Sequence, residues 1–219
     1  MKTIKTLLAA AVAAVTFAGM ASAATMNAYF TLEVVQLTNA DEAESTASSA
    51  AFTAAWGASA VKGTGYYNGD LDFRIGSGNS GSTYVADFLN TGSADWSTGL
   101  LDAATTLLSN TDVFQGTATT TFFRFTLANV AAGDFAITHD DGMSITGLGG
   151  TTQPTSEITT LLPDFAGGPF ELIYVATNGN PSVLEVDYEA AAVPLPASLP
   201  LLLVGFGGLA ALRRRKKAA

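Results

Sequence analysis

One short run in this chain gathers residue types that commonly do chemistry: His139-Asp140-Asp141-Gly142-Met143-Ser144-Ile145. Adjacent carboxylates repel one another, and a hard cation relieves that repulsion; calcium takes about six to eight oxygen ligands. A later loop, Asn178-Gly179-Asn180-Pro181, offers amide and backbone oxygens of the right kind if the two loops meet. Asp140, Asp141 and Asn178 are therefore the candidate metal and ligand-binding residues, with calcium as the candidate cofactor. Gly142 would let the backbone turn sharply after the pair. The competing reading is a plain hairpin turn with solvated carboxylates, since Asp-Gly is a strong hairpin signal. His139 is expected to cap the strand or lie on the surface, because calcium prefers oxygen to imidazole.

Catalytic constellations are hard to assemble from what remains. Cysteine is absent and His139 is the single histidine, so thiolate metal sites and cysteine nucleophiles are excluded and acid-base chemistry is restricted. No nucleophile, base and orienting group stand out as a set. Paired aspartates could serve glycoside hydrolysis only across a cleft of roughly 5 to 9.5 Å, which neighbouring residues seldom provide. The chain is expected not to be an enzyme; a secreted glycosidase, the remote alternative, would need a deep cleft with facing carboxylates.

Both ends read as addresses. Residues 1–23 carry Lys2 and Lys5, an apolar run from Leu7 to Phe17, and Ala21-Ser22-Ala23, the pattern of a cleavable secretion signal with signal peptidase as partner. Leu195 to Leu212 contains no charge. As a transmembrane helix it would span about 27 Å of a hydrocarbon core about 30 Å thick. Arg213, Arg214, Arg215, Lys216 and Lys217 follow directly, and such a basic cluster stays in the cytoplasm, leaving the body outside.

Between these ends, residues 24–192 form the body, about one domain by length. From Ala24 to Val193 only Lys62, Arg74 and Arg124 are basic against nineteen acidic residues, a net charge of −16. Nucleic acid is excluded as a partner by that balance, because phosphate binding needs clustered cations.

The pattern within the body is mainly β. Asn27 to Val35, Thr119 to Leu127, Asp134 to Thr138 and Phe170 to Val175 are rich in β-branched and aromatic residues, and Ser182 to Tyr188 alternates as a closing strand would. A short helix is expected within Asp41 to Ala60, begun near Asn39 or Asp41. From Gly63 to Asn110 the glycine, serine and threonine content suggests short strands and long loops, including a surface loop at Ser77 to Ser82. The isolated aromatics Tyr66, Tyr67, Phe73, Tyr84, Phe88 and Trp96 are read as core or turn packing rather than a glycan platform. Together these imply an antiparallel β-sandwich or jelly roll.

Two resemblances sharpen the expectation. Val193-Pro194-Leu195-Pro196-Ala197, the apolar span with its Gly205 to Gly208 cluster, and the arginine-rich end resemble the PEP-CTERM sorting signal in its VPLPA variant. That resemblance covers residues 193–219. It implies processing by an exosortase in the inner membrane of a Gram-negative bacterium and association with exopolysaccharide or biofilm matrix. The founding pattern has a glutamate between the prolines that is missing here. Separately, Asp140-Asp141-Gly142 with Leu184 to Tyr188 as closing strand resembles the anthrax-protective-antigen-type β-sandwich domain over Thr119 to Glu189. In lectin members of that family the aspartate pair binds calcium, which holds sugar hydroxyls; Met143 to Leu148 lacks the usual tyrosine and aspartate. The expected function is a non-catalytic exported surface or matrix protein, with a calcium-dependent carbohydrate-binding adhesin as the alternative.

Overall fold

In the computed structural model the described residues are 23–38, 46–75, 85–90, 119–146, 148, 156–177 and 182–192. Residues 1–22 of the leader, the sorting motif, the apolar span, the basic cluster, Asn178, Tyr84, Trp96 and Ser77 to Ser82 lie outside them. Among the described residues no helix is long and apolar enough to cross a membrane.

The strands are β1 (Ala24–Thr25), β2 (Asn27–Thr38), β3 (Lys62–Asp70), β4 (Asp72–Ile75), β5 (Thr119–Val130), β6 (Gly133–Asp140), β7 (Met143–Ile145), β8 (Ile158–Phe165), β9 (Gly168–Thr177) and β10 (Ser182–Ala190). Helix α1 spans Ser49–Ala58 and α2 spans Val85–Asn90. Every strand pairing is antiparallel. One sheet runs β1-β10-β6-β8, with β4 also on β10; the other runs β3-β2-β5-β9-β7. The expected mainly β, two-sheet architecture is therefore present, and residues Ala23–Ala190 form one compact unit.

Alternation decides which side chains meet between the sheets. Phe30, Leu32 and Val34 from β2, Phe123 and Phe125 from β5, and Leu172 and Tyr174 from β9 face Phe135 and Ile137 from β6 and Leu184 and Val186 from β10. Tyr67, Phe73 and Phe88 join them: Tyr67 packs edge-on against Phe125, Phe73 stacks on Phe125, and Phe88 lies tilted against Phe123. Tyr67, Phe73 and Phe88 are thus core residues as expected, whereas Tyr66 stays exposed.

The out-of-phase residues of the β5 sheet are also apolar at one end. Val35, Phe122, Ile173 and Val175 make a second cluster with Phe52 and Ala55 of α1, so this end of the sheet is buried on both faces. Ser48 is the N-cap of α1, its hydroxyl accepting from the Ala51 N–H at 3.1 Å, and the expected starts at Asn39 or Asp41 lie outside the described residues. Arg124 lies over the Phe52 ring, 4.1 Å from its centroid, and pairs with Glu33.

A candidate cation site at a corner between the sheets

β6 belongs to one sheet, and β7 pairs with β9 in the other. Asp140-Asp141-Gly142 is therefore the corner where the chain crosses between sheets, not the hairpin turn that Asp-Gly could signal. Two bonds to β9 hold the corner: the Val175 N–H donates to the Gly142 carbonyl at 2.9 Å, and the Thr177 N–H donates to Asp141 Oδ2 at 2.7 Å. The buried phenol of Tyr174 donates to the Asp140 carbonyl. The Asp140–Asp141 peptide bond is cis.

His139 departs from expectation. It is fully buried rather than on the surface, because its side chain falls in phase with Phe135 and Ile137 on the core side of β6. Nδ1 lies 2.8 Å from the Asp141 carbonyl and Nε2 lies 2.9 Å from Thr160 Oγ1. A carbonyl can only accept, so Nδ1 carries the proton, and in the neutral ring Nε2 then accepts from the Thr160 hydroxyl. Burial holds the His139 pKa below its ordinary 6.5, while the bond to the Asp141 carbonyl acts the other way. His139 thus braces the corner from below.

The two aspartates differ. Asp141 is committed to the Thr177 N–H. Asp140 is 5% exposed, yet among the described residues its carboxylate accepts no hydrogen bond. Burial raises its pKa above the ordinary value, and the like charge of Glu157 adds to the effect. Arg74, opposite Val183 in register, reaches Glu157, which precedes Ile158, the residue facing His139. Since Val183 in turn faces Asp140, the Arg74–Glu157 pair, at 2.8 Å, crosses the outer face of β10 and β6 at the level of Asp140.

Asp140 and Asp141 carry hard carboxylate oxygens, the donor type that calcium takes. Among the described residues no three acidic or histidine side chains are grouped to hold a metal, so further oxygens would have to come from elsewhere. Thr177 and Ser182 bracket the 178–181 loop, and both anchor at the corner, Thr177 through Asp141 and β10 through the Val183–Asp140 pairing. Sequence reasoning missed the supporting groups. Tyr174 and Thr160 are ordinary strand residues whose roles come only from sheet pairing.

No family model matches this chain, and no curated protein does. Two solved structures are similar in fold. A PA14 sugar-binding domain from an RTX adhesin has 17% identity and a TM-score of 0.43, over 73% of this chain and 89% of that one. The PA14 domain of the MpAFP antifreeze protein has 15% identity and a TM-score of 0.43, over 78% and 88%.

A groove of about 210 Å³ sits at the opposite end of β6, floored by Phe135, Leu161 and Pro163 and edged by Asp134, Asp187 and Glu189. Asp134 Oδ1 already accepts from the Asp164 N–H at 2.7 Å, and Thr25 Oγ1 lies 3.5 Å from Asp187 Oδ1. Asp134 and Asp187 are thus tied into the strands around the groove.

Proposed function

We propose that the body is a non-catalytic, calcium-dependent carbohydrate-binding module of an exported surface or matrix protein. The observation that carries this reading is the corner itself: Asp140, 5% exposed and with its pKa raised by burial, adjoins Asp141, whose Oδ2 holds the end of β9 through the Thr177 N–H. Calcium bound there would neutralise both carboxylates and present open coordination positions to paired sugar hydroxyls. Asn178 is the proposed third donor. The motif resemblance at Asp140-Asp141-Gly142 supports the same ligand class. Both chain ends set the place of action: export through the leader, then sorting by the Val193 to Ala197 motif and exosortase, with exopolysaccharide as the surrounding partner.

Thermal unfolding of the full chain in mild detergent, with calcium and with chelator, tests the cation site. Calcium is expected to raise the melting temperature of the native protein through binding linkage and to leave Asp141→Ala unmoved. An equal response in both proteins would sink the site. Mass spectrometry of material from the producing cells tests the sorting step, since an intact Arg213 to Lys217 end would rule processing out.

A further inference from the structure

The outer face of the β5 sheet is divided into rows by its register. Lys62, Val35, Phe122 and Val175 are successive cross-strand neighbours, and α1 covers that row with Phe52, while Trp56 packs beside it and takes Lys62 over its ring. Thr64, Glu33, Arg124 and Ile173 form the next row, closed by the Arg124–Glu33 ion pair. Beyond it the face is open. The rows there set Tyr66 against Thr31, Asn68 against Tyr29, and Asp70 against Asn27. Tyr29 is 57% and Tyr66 43% exposed, whereas their chain neighbours Phe30 and Tyr67 are fully buried. The two exposed rings are nearly parallel, 25° apart in plane, with centroids separated by 5.2 Å.

We propose that this open half-face is a second carbohydrate-binding surface, one that takes a neutral polysaccharide without calcium. Tyrosine offers an apolar ring with a polar tip. The C–H face of a pyranose packs on such a ring, and its hydroxyls reach the groups alongside. Thr31, Thr64 and Asn68 are exposed and uncharged, and Asn27 donates its amide to Asp70 at 2.7 Å, leaving its carbonyl oxygen as an acceptor. Charge selects among polymers. The open rows hold no basic residue, and the body's three are engaged elsewhere: Arg124 with Glu33, Arg74 with Glu157, and Lys62 over Trp56. A polyanion would meet a strongly acidic molecule with no cation to greet it.

The surface shares a ligand class with the cation site but not its chemistry, so the two can fail separately. Native electrophoresis of the full chain in mild detergent and excess chelator, in gels holding hydroxyethylcellulose, galactomannan or dextran, reads it directly; an alginate gel supplies the anionic comparison. Retardation is expected in at least one neutral gel, weakened about tenfold or more by Tyr29→Ala or Tyr66→Ala. Tyr66→Phe and Asp141→Ala should keep it. Should an alanine variant lose its circular-dichroism melt, Tyr29→Thr, a good strand former, replaces it. The proposal is overturned by an absence of retardation in every neutral gel, by retardation in alginate alone, or by retardation that Tyr29→Ala and Tyr66→Ala leave unchanged. Binding seen only with calcium would support the Asp140–Asp141 site and reject this surface. A concentration-dependent dimer dissolved by the tyrosine variants, with no retardation, would reassign the face to contact between copies.

Discussion

Asp140 and Asp141 are neighbours in sequence and opposites in environment. Asp141 closes the end of β9 through the Thr177 N–H, so Asp141→Ala leaves a donor stranded and should cost about 1–3 kcal/mol in chelator. Burial, with the like charge of Glu157 added, disfavours the ionised form of Asp140, so Asp140→Asn should raise the melting temperature in chelator while abolishing the calcium response. Scanning calorimetry of the two variants checks this; a fall for both would mean that the Asp140 charge stabilises the corner as it stands. His139 gives the site a pH dependence in the calcium-free protein. Its folded pKa is held below the ordinary 6.5 by burial, so the unfolded chain takes the proton first. Stability fully present above about 6.5 is then lost as pH falls toward the lower folded value. Asp140 acts with the opposite sign, because its folded pKa is raised above 3.8 and stability is regained as pH falls through that raised value. Urea midpoints across this range should show the first loss in the native protein and not in His139→Gln. That Asp140 and Asp141 adjoin is plain in the sequence, but that they carry the chain from one sheet to the other is not. The burial of His139 was not legible either, since nothing local reveals which face of a strand another sheet will cover.

At the scale of elements, the sequence marked strands well where β-branched and aromatic residues cluster, as in β5, β9 and β10, and poorly where other signals compete. β3 was read as part of a loop-rich stretch because of Gly63, Gly65 and Gly69. Those glycines alternate with Thr64, Tyr66 and Asn68, and their inward places face Val34, Leu32 and Ala28 across the ladder. β8 carries Pro163, which argues against a central strand but suits the sheet edge it occupies. β5 and β6 are joined through Ala131 and Ala132, whose carbonyls lie 3.0 and 3.2 Å from the Tyr188 hydroxyl. Gly133 opens β6 at that turn, where an added Cβ would collide with the Glu189 carbonyl and the Tyr188 ring. Backbone cannot move aside as a side chain can, so Gly133→Ala should destabilise by about 1–3 kcal/mol through overpacking. Urea unfolding with an unchanged slope and a lowered midpoint would bear this out; an unchanged midpoint would mean that the β6–β10 ladder shifts freely.

Over the whole molecule, fold class followed from regularly spaced strands and turn residues, but the crossing from β6 to β7 depends on which sheet each strand joins, and that is decided by distant partners. Charge is the other property that belongs to the whole. Nineteen carboxylates face three basic side chains between Ala24 and Val193, and folding brings them closer than in the extended chain, so self-repulsion opposes the compact state. Monovalent salt shortens the range of that repulsion, to about 10 Å at 0.1 M. In chelator at neutral pH the melting temperature should therefore climb with sodium chloride, and the climb should shrink near pH 4, where many carboxylates are protonated. Calcium should do more than sodium chloride of equal ionic strength in the native protein, and no more than it in Asp140→Asn. The comparison separates a held ion from a diffuse atmosphere. If the two salts act alike in the native protein, calcium is only screening, and the corner between the sheets holds no ion.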